Sequence, residues 1–192
     1  MKIQLIRTSF VLLALSSCQN EELLIPKPPT YLRLDLPNHK YVSYKSTCGY
    51  SFLRSSLFKV KDVVDSNAQT TCHKDIDLGA LNGIIHFSYI AMKEPLATYI
   101  NFANDKVEEH KLKATAINDF RIIHTEKKVY GTFFELEGDV ASPFQFYLTD
   151  SVSRFASGVI YFNCRPNYDS LKPSLDYLKV DLLKMIHSFE WE

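Results

Sequence analysis

The sequence predicts an α+β domain, a mainly antiparallel sheet with one helix inserted in the middle and another at the C-terminus. Three observations lead there. Runs of alternating apolar and polar residues recur along the chain, two segments repeat apolar residues every three or four positions instead, and the links between the late strand-like runs are too short for parallel crossovers. The 11 Tyr and 13 Phe strengthen the strand reading, because aromatic rings pack well on a pleated surface.

Leu32, Leu34 and Leu36 alternate with Tyr31, Arg33 and Asp35, a half-buried strand that stops at Pro37 and Asn38. Shorter strands are expected over Tyr41 to Tyr44 and Tyr50 to Phe52, on either side of a Cys48-Gly49 turn, and the polar stretch near positions 62 to 71 reads as loop. GIIHFSYIAM from Gly83 sets Ile85, Phe87 and Tyr89 on one face and Ile84, His86 and Ser88 on the other, a strand buried mainly on one side. At Glu94 the period changes. Pro95 suits a first helical turn, and Leu96, Ile100, Ala103, Val107 and His110 form one stripe of an amphipathic helix.

Three further strands are expected at Lys128 to Glu135, Phe144 to Thr149 and Gly158 to Phe162, joined by turns at Glu137-Gly138-Asp139 and near Asp150-Ser151. The closing helix sets Leu175, Leu178, Leu182, Met185, Ile186 and Phe189 on one stripe, with Asp169-Ser170 as N-cap residues and Pro173 in its first turn.

The first residues fix an address. MKIQLIRTSFVLLALSSC has a basic start in Lys2 and Arg7 and a short apolar run from Phe10 to Leu15, the pattern of a secretory signal. A membrane-spanning helix needs about 20 apolar residues, well over twice what is present. Leu15-Ser16-Ser17-Cys18 resembles the lipobox cut by the lipoprotein signal peptidase, which implies that residues 1–17 are removed and that Cys18 carries a diacylglycerol and an amide-linked acyl chain of the palmitate type. Each buried CH₂ contributes about 0.8 kcal/mol and one chain binds only reversibly, so two or three chains make a lasting anchor. Residues 18–30 then read as lipidated cysteine plus tether, stiffened by Pro26, Pro28 and Pro29. Residues 31–192 are left for one domain, which at that length buries roughly two-thirds of its unfolded surface.

With Cys18 used for lipid, Cys48, Cys72 and Cys164 permit three pairings. Cys48 with Cys72 is favoured, since both flank the polar stretch and closing it restricts the unfolded chain by about 3–4 kcal/mol. Cys164, after the apolar Val159 to Phe162 run, is then left unpaired, where a free cysteine behaves as a small hydrophobe. A metal site from His39, Cys48, Cys72 and His73 has no CxxC, HxxxH or HExxH spacing behind it, and no metal or cofactor is expected.

The 22 basic and 22 acidic residues cancel, so nothing points to a nucleic-acid partner. No GxSxG or SxxK nucleophile motif and no glycine-rich phosphate loop occurs. His86, His110 and His124 read as satisfied structural histidines, and Asp139 and Asp150 as turn carboxylates that bond nearby amides rather than as a catalytic pair. No enzyme activity is expected. The stretch GDVASPFQFYLTDSVSRFASGVIYF is the most unusual. It places Phe144, Phe146 and Leu148 on one strand face and Gln145, Tyr147 and Thr149 on the other, and that polar face, with Ser142 and Asp150 beside it, is the candidate contact surface.

Several blocks together resemble one family. The lipobox, PKPPTYLRLDLP, CGYSF with the later Cys72, HKLKA at 110 to 114, VYG at 129 to 131, GDVASPFQFYLTDS, GVIYF, PNYDSLKP and the closing SFEW are similar, in order and nearly end to end, to the gliding motility lipoprotein GldD family of Bacteroidetes. The resemblance implies a lipid-anchored envelope component needed for gliding and associated with the type IX secretion machinery. Its partners would be the membrane, through the lipid, and proteins of that machinery, with no enzymatic activity. Where the family pattern reads HFLRGALYF, this chain has RFASGVIYF. Arg154 and Ser157 thus replace a His and an Arg, and a role that depends on charge at 157 does not carry over. The runner-up reading is an envelope lipoprotein binding a small or lipidic ligand in an aromatic-lined cleft. By element order alone the domain is analogous to PsbP/Mog1-like sandwiches.

Overall fold

The computed structural model describes residues 35–192. The signal segment, Cys18, the proline tether and positions 31–34 of the expected first strand lie outside the described residues. That strand's last two residues, Asp35 and Leu36, are irregular chain, with Leu36 packed against the core.

Ten strands follow: β1 (Tyr41–Ser46), β2 (Tyr50–Ser55), β3 (Lys59–Val64), β4 (Thr70–Asp77), β5 (Gly83–Ala91), β6 (Ala114–His124), β7 (Val129–Gly138), β8 (Phe144–Thr149), β9 (Arg154–Phe162) and β10 (Glu190–Trp191). Helix α1 (Leu96–Glu108) lies between β5 and β6, and α2 (Tyr168–His187) between β9 and β10. β3-β4-β5-β9-β8-β7-β6 form a seven-stranded antiparallel sheet, and β1-β2-β10 a three-stranded one. The described residues therefore form a single α+β domain, as their periodicities predict.

One face of the large sheet is closed by α2 and the small sheet. Phe87, Phe133, Phe144, Phe146, Leu148 and Ile160 meet Leu178, Leu182, Met185 and Ile186 of α2 and Tyr50 and Phe52 of β2, all at most 2% exposed. Burying each such side chain contributes about 1.5–3 kcal/mol, so this layer dominates stability. α1 covers the opposite face more lightly. Its one fully buried residue, Val107, packs with Phe134, Leu136 and Val140 in a second small cluster.

Two glycines make this packing possible. Gly49 turns the β1–β2 hairpin at φ +79°, a conformation that costs other residues dearly. Gly131 lies so close to β8 that a Cβ there would sit 1.9 Å from the Tyr147 carbonyl oxygen.

The disulfide joins Cys48 to Cys72 with Cα atoms 5.8 Å apart, and so ties the β1–β2 turn to β4. The Cys164 thiol is free, and its exposure corrects the reading of it as a small hydrophobe: the chain leaves the sheet at Phe162 and lifts it away from the core. The loop expected near 62 to 71 is also shorter than its polarity suggests. β3 and β4 run into it, leaving a tight turn in which Asp65 accepts the amides of Asn67 and Gln69, both 2.9 Å away.

α2 is capped two residues before Asp169, the first of its expected caps. The Asn167 side chain accepts from the Ser170 amide at 3.1 Å, Asp169 falls in the first turn where the helix dipole favours it, and Pro173 sits inside the helix. Among the described residues no helix is long and apolar enough to cross a membrane.

Candidate contact site

Alternation along β8 sends Gln145, Tyr147 and Thr149 to the α1 side of the sheet, and pairing fixes their neighbours. Gln145 lies opposite Phe134 and Tyr147 opposite Thr132 on β7, while Asp119 and Arg121 of β6 face Phe134 and Thr132 from the next row. Because α1 crosses only part of this face, an open cleft of about 530 Å³ remains between it and the outer strands. Asn104, Val107 and Glu108 of α1 form one wall and Ile117, Asp119 and Arg121 of β6 the other. Thr132, Phe134 and Tyr147 make the floor.

The five residues of the expected contact surface are not presented together. Tyr147 lines the cleft, its ring stacked on Phe155 at 5.5 Å and its hydroxyl accepting from Thr132 Oγ1 at 3.0 Å. Gln145, Thr149 and Ser142 are buried, at 4%, 3% and 0% exposure, because a helix and a turn cover the polar face of β8.

Thr149 Oγ1 donates to the Arg154 carbonyl and accepts the Ser151 amide, which braces the β8–β9 turn. Asp150 completes that turn by accepting the amides of Val152, Ser153 and Arg154 at 2.8–2.9 Å. Burial pushes the Asp150 carboxyl up, but these amides more than offset it and the pKa lies below the ordinary carboxylate value. Ser142 Oγ donates to the Phe144 carbonyl.

Gln145 differs. Its Nε2 has no hydrogen-bond partner, and it lines a second, smaller pocket of about 40 Å³ under α1 with Phe102, Ala103, Phe134 and Phe155. Burying an amide donor without a partner costs about 1–3 kcal/mol, so a group that accepts from it is favoured there.

The remaining candidates are dispersed. His39 Nδ1 lies 2.7 Å from the fully buried Asp181, and its ring stacks on Tyr177 at 4.2 Å. His73 Nδ1 accepts the Tyr89 amide, and Cys48 and Cys72 are spent in the disulfide. His86 pairs with Asp75 at 2.8 Å on the surface. His110 follows α1, and burial lowers its pKa. His124 Nε2 lies 2.9 Å from His187 Nδ1, and the His187 pKa is lowered first by burial and then by His124. Asp139 accepts the Tyr168 amide at the start of α2, a separate task from that of Asp150. Among the described residues no three such side chains converge into a metal site.

The ordered blocks noted in the sequence have a counterpart in a known family: the pattern described as gliding motility lipoprotein GldD matches residues 21–191. The chain belongs to the GldD family. No curated protein matches it. GldD membership makes this a lipoprotein linked to gliding motility, and it extends over all the elements that build the cleft. The β6 wall is what sequence reasoning missed. Ile117, Phe120, Ile122 and Ile123 break strict alternation, so the strand carries no clean period-two signal.

Proposed function

We propose that this GldD-family chain is a lipid-anchored accessory protein of the gliding motility and type IX secretion machinery, held in the envelope through Cys18 and acting by protein contacts without catalysis. The family match over residues 21–191 carries the reading. Lipid on Cys18 confines the chain to a membrane surface, and the proline-rich residues 19–30 space the domain from it. An open cleft of mixed polarity beside a long exposed strand suits a protein partner better than a small substrate, which is bound in deeper, mainly apolar pockets.

The test is a clean deletion in the native host, complemented with the wild-type gene or with Cys18→Ala. The expected result is loss of spreading and of type IX cargo secretion, restored by the wild type and not by the anchorless variant. Normal spreading together with normal secretion in the deletion strain rejects the proposal.

Gln145 supports a second reading, a small ligand under α1. The pocket holds only about two or three waters, so a lipid chain enters only if α1 moves. Native mass spectrometry of protein purified from host membranes distinguishes the two: a stoichiometric small molecule supports a ligand, and the bare lipoprotein does not.

A further inference from the structure

The large sheet ends on two unlike edges. β3 is six residues long, carries Lys59, Lys61 and Asp62, and its register with β4 shifts between Asp62 and Val64. Short length, charge and irregularity keep a free edge from pairing. β6 carries Asp119 and Arg121 but is longer and more regular. It runs 11 residues without proline or lysine, its register shift is confined to Ala114/Ala116 at the start, and no strand of the described residues pairs with its outer side. Phe120 and Ile123 are 45% and 65% exposed on it. Such an edge is a template for another strand.

We propose that the strand it takes is β6 of a second copy of this chain, paired antiparallel about a two-fold axis at Phe120. The argument lies in the middle of the strand, Ile117-Asn118-Asp119-Phe120-Arg121-Ile122-Ile123. Residues that face each other in an antiparallel pair have numbers with a constant sum. Centring on Phe120 sets Asp119 opposite the partner's Arg121, and Arg121 opposite the partner's Asp119. The same register sets Ile117 opposite the partner's Ile123. Neither Asp119 nor Arg121 forms an ion pair among the described residues, so both charges are available.

These pairs fall on the α1 face, since Asp119 and Arg121 share it with Phe134 and Thr132. On the α2 face the two Phe120 rings meet, each already under a Lys179 ammonium 5.2 Å from its centroid. Opposite charges and aromatic rings directly across a strand pair each contribute roughly 0.2–1 kcal/mol.

Neighbouring registers fail. Sliding each copy by one residue sets Asp119 against Asp119 or Arg121 against Arg121, and like charges facing each other are destabilising. Any register between these sets residues of the α1 face opposite residues of the α2 face, and the two-fold is lost. In the symmetric register the seven-stranded sheets of two copies become one continuous sheet. The two clefts then share their β6 walls.

Disulfide trapping of the full lipidated chain in membranes of intact cells tests this. The background is Cys164→Ser, which removes the thiol left free by the disulfide, and the probe is Phe120→Cys. Across the two-fold it should give a dimer band at least about tenfold stronger than Lys61→Cys on the β3 edge, as expected if only one edge is paired. Adding Asp119→Arg or Arg121→Asp alone should cut that band at least about fivefold, while both together restore it to within about twofold, the signature of direct coupling. Equal trapping at the two edges, single reversals without effect, reversals that the double does not rescue, or trapping mainly to a different protein would each overturn the proposal.

Discussion

Replacing both cysteines of the bridge, Cys48→Ala with Cys72→Ala, probes how the small sheet is held to the large one. The bonded residues are 24 apart, so the closed loop has about 25 residues and its loss frees roughly 12 cal/mol/K in the unfolded chain, about 3.5 kcal/mol at 25 °C. The native state keeps its other ties. Tyr50 still donates to the Cys72 carbonyl at 3.1 Å, and Tyr50 and Phe52 stay packed on Phe87 and Phe189, so the cost falls on the unfolded side. For a domain of roughly 160 residues, an unfolding entropy near 2.1 cal/mol/K per residue turns 3.5 kcal/mol into a Tm lower by about 10 °C. Circular dichroism melts of the oxidised wild type and the double variant measure it. A loss under about 1 kcal/mol would refute the loop-entropy reasoning and mean that the unfolded chain is already restrained between these positions.

Three further outcomes follow from single residues. Gly131→Ala drives a Cβ into the Tyr147 carbonyl, so β7 and β8 must part, and the urea midpoint should fall by the equivalent of about 3 kcal/mol or more. Gly158→Ala meets the Phe146 ring at 2.3 Å instead, a side chain that can turn, and should cost less than Gly131→Ala in the same assay. Asp150, whose folded pKa is depressed, contributes stability that is present above the ordinary carboxylate range and lost as pH falls through its folded value. Asp150→Asn should therefore flatten the acid limb of a stability–pH curve, and an unchanged limb would contradict the role of the three amides.

The elements legible in the sequence are those whose two sides see different surroundings. β5 and β8 alternate because one face meets α2, and α1 and α2 show helical periods because each lays a stripe on the sheet. β3, β4 and β6 were not legible, since KVKDVV, TTCHKDID and ATAINDFRIIH carry charged residues of edge and near-edge strands that propensity reads as loop. β10 has only two residues and exists through its pairing with β2. At the contact site the faces of β8 were legible but not their exposure. Polarity alone does not tell a solvent face from one covered by a helix, which is why Gln145 and Thr149 turn out buried while Tyr147 reaches the cleft.

The claim that this GldD-family chain works as an anchored envelope protein rests on the chemistry of one residue. Intact-mass analysis of the protein extracted from membranes of its native host tests it most directly. The account predicts a chain that begins at Cys18 and carries diacylglycerol with acyl-chain heterogeneity in steps of CH₂. An unmodified chain that still begins at Met1 and is recovered from the cytosol would contradict it.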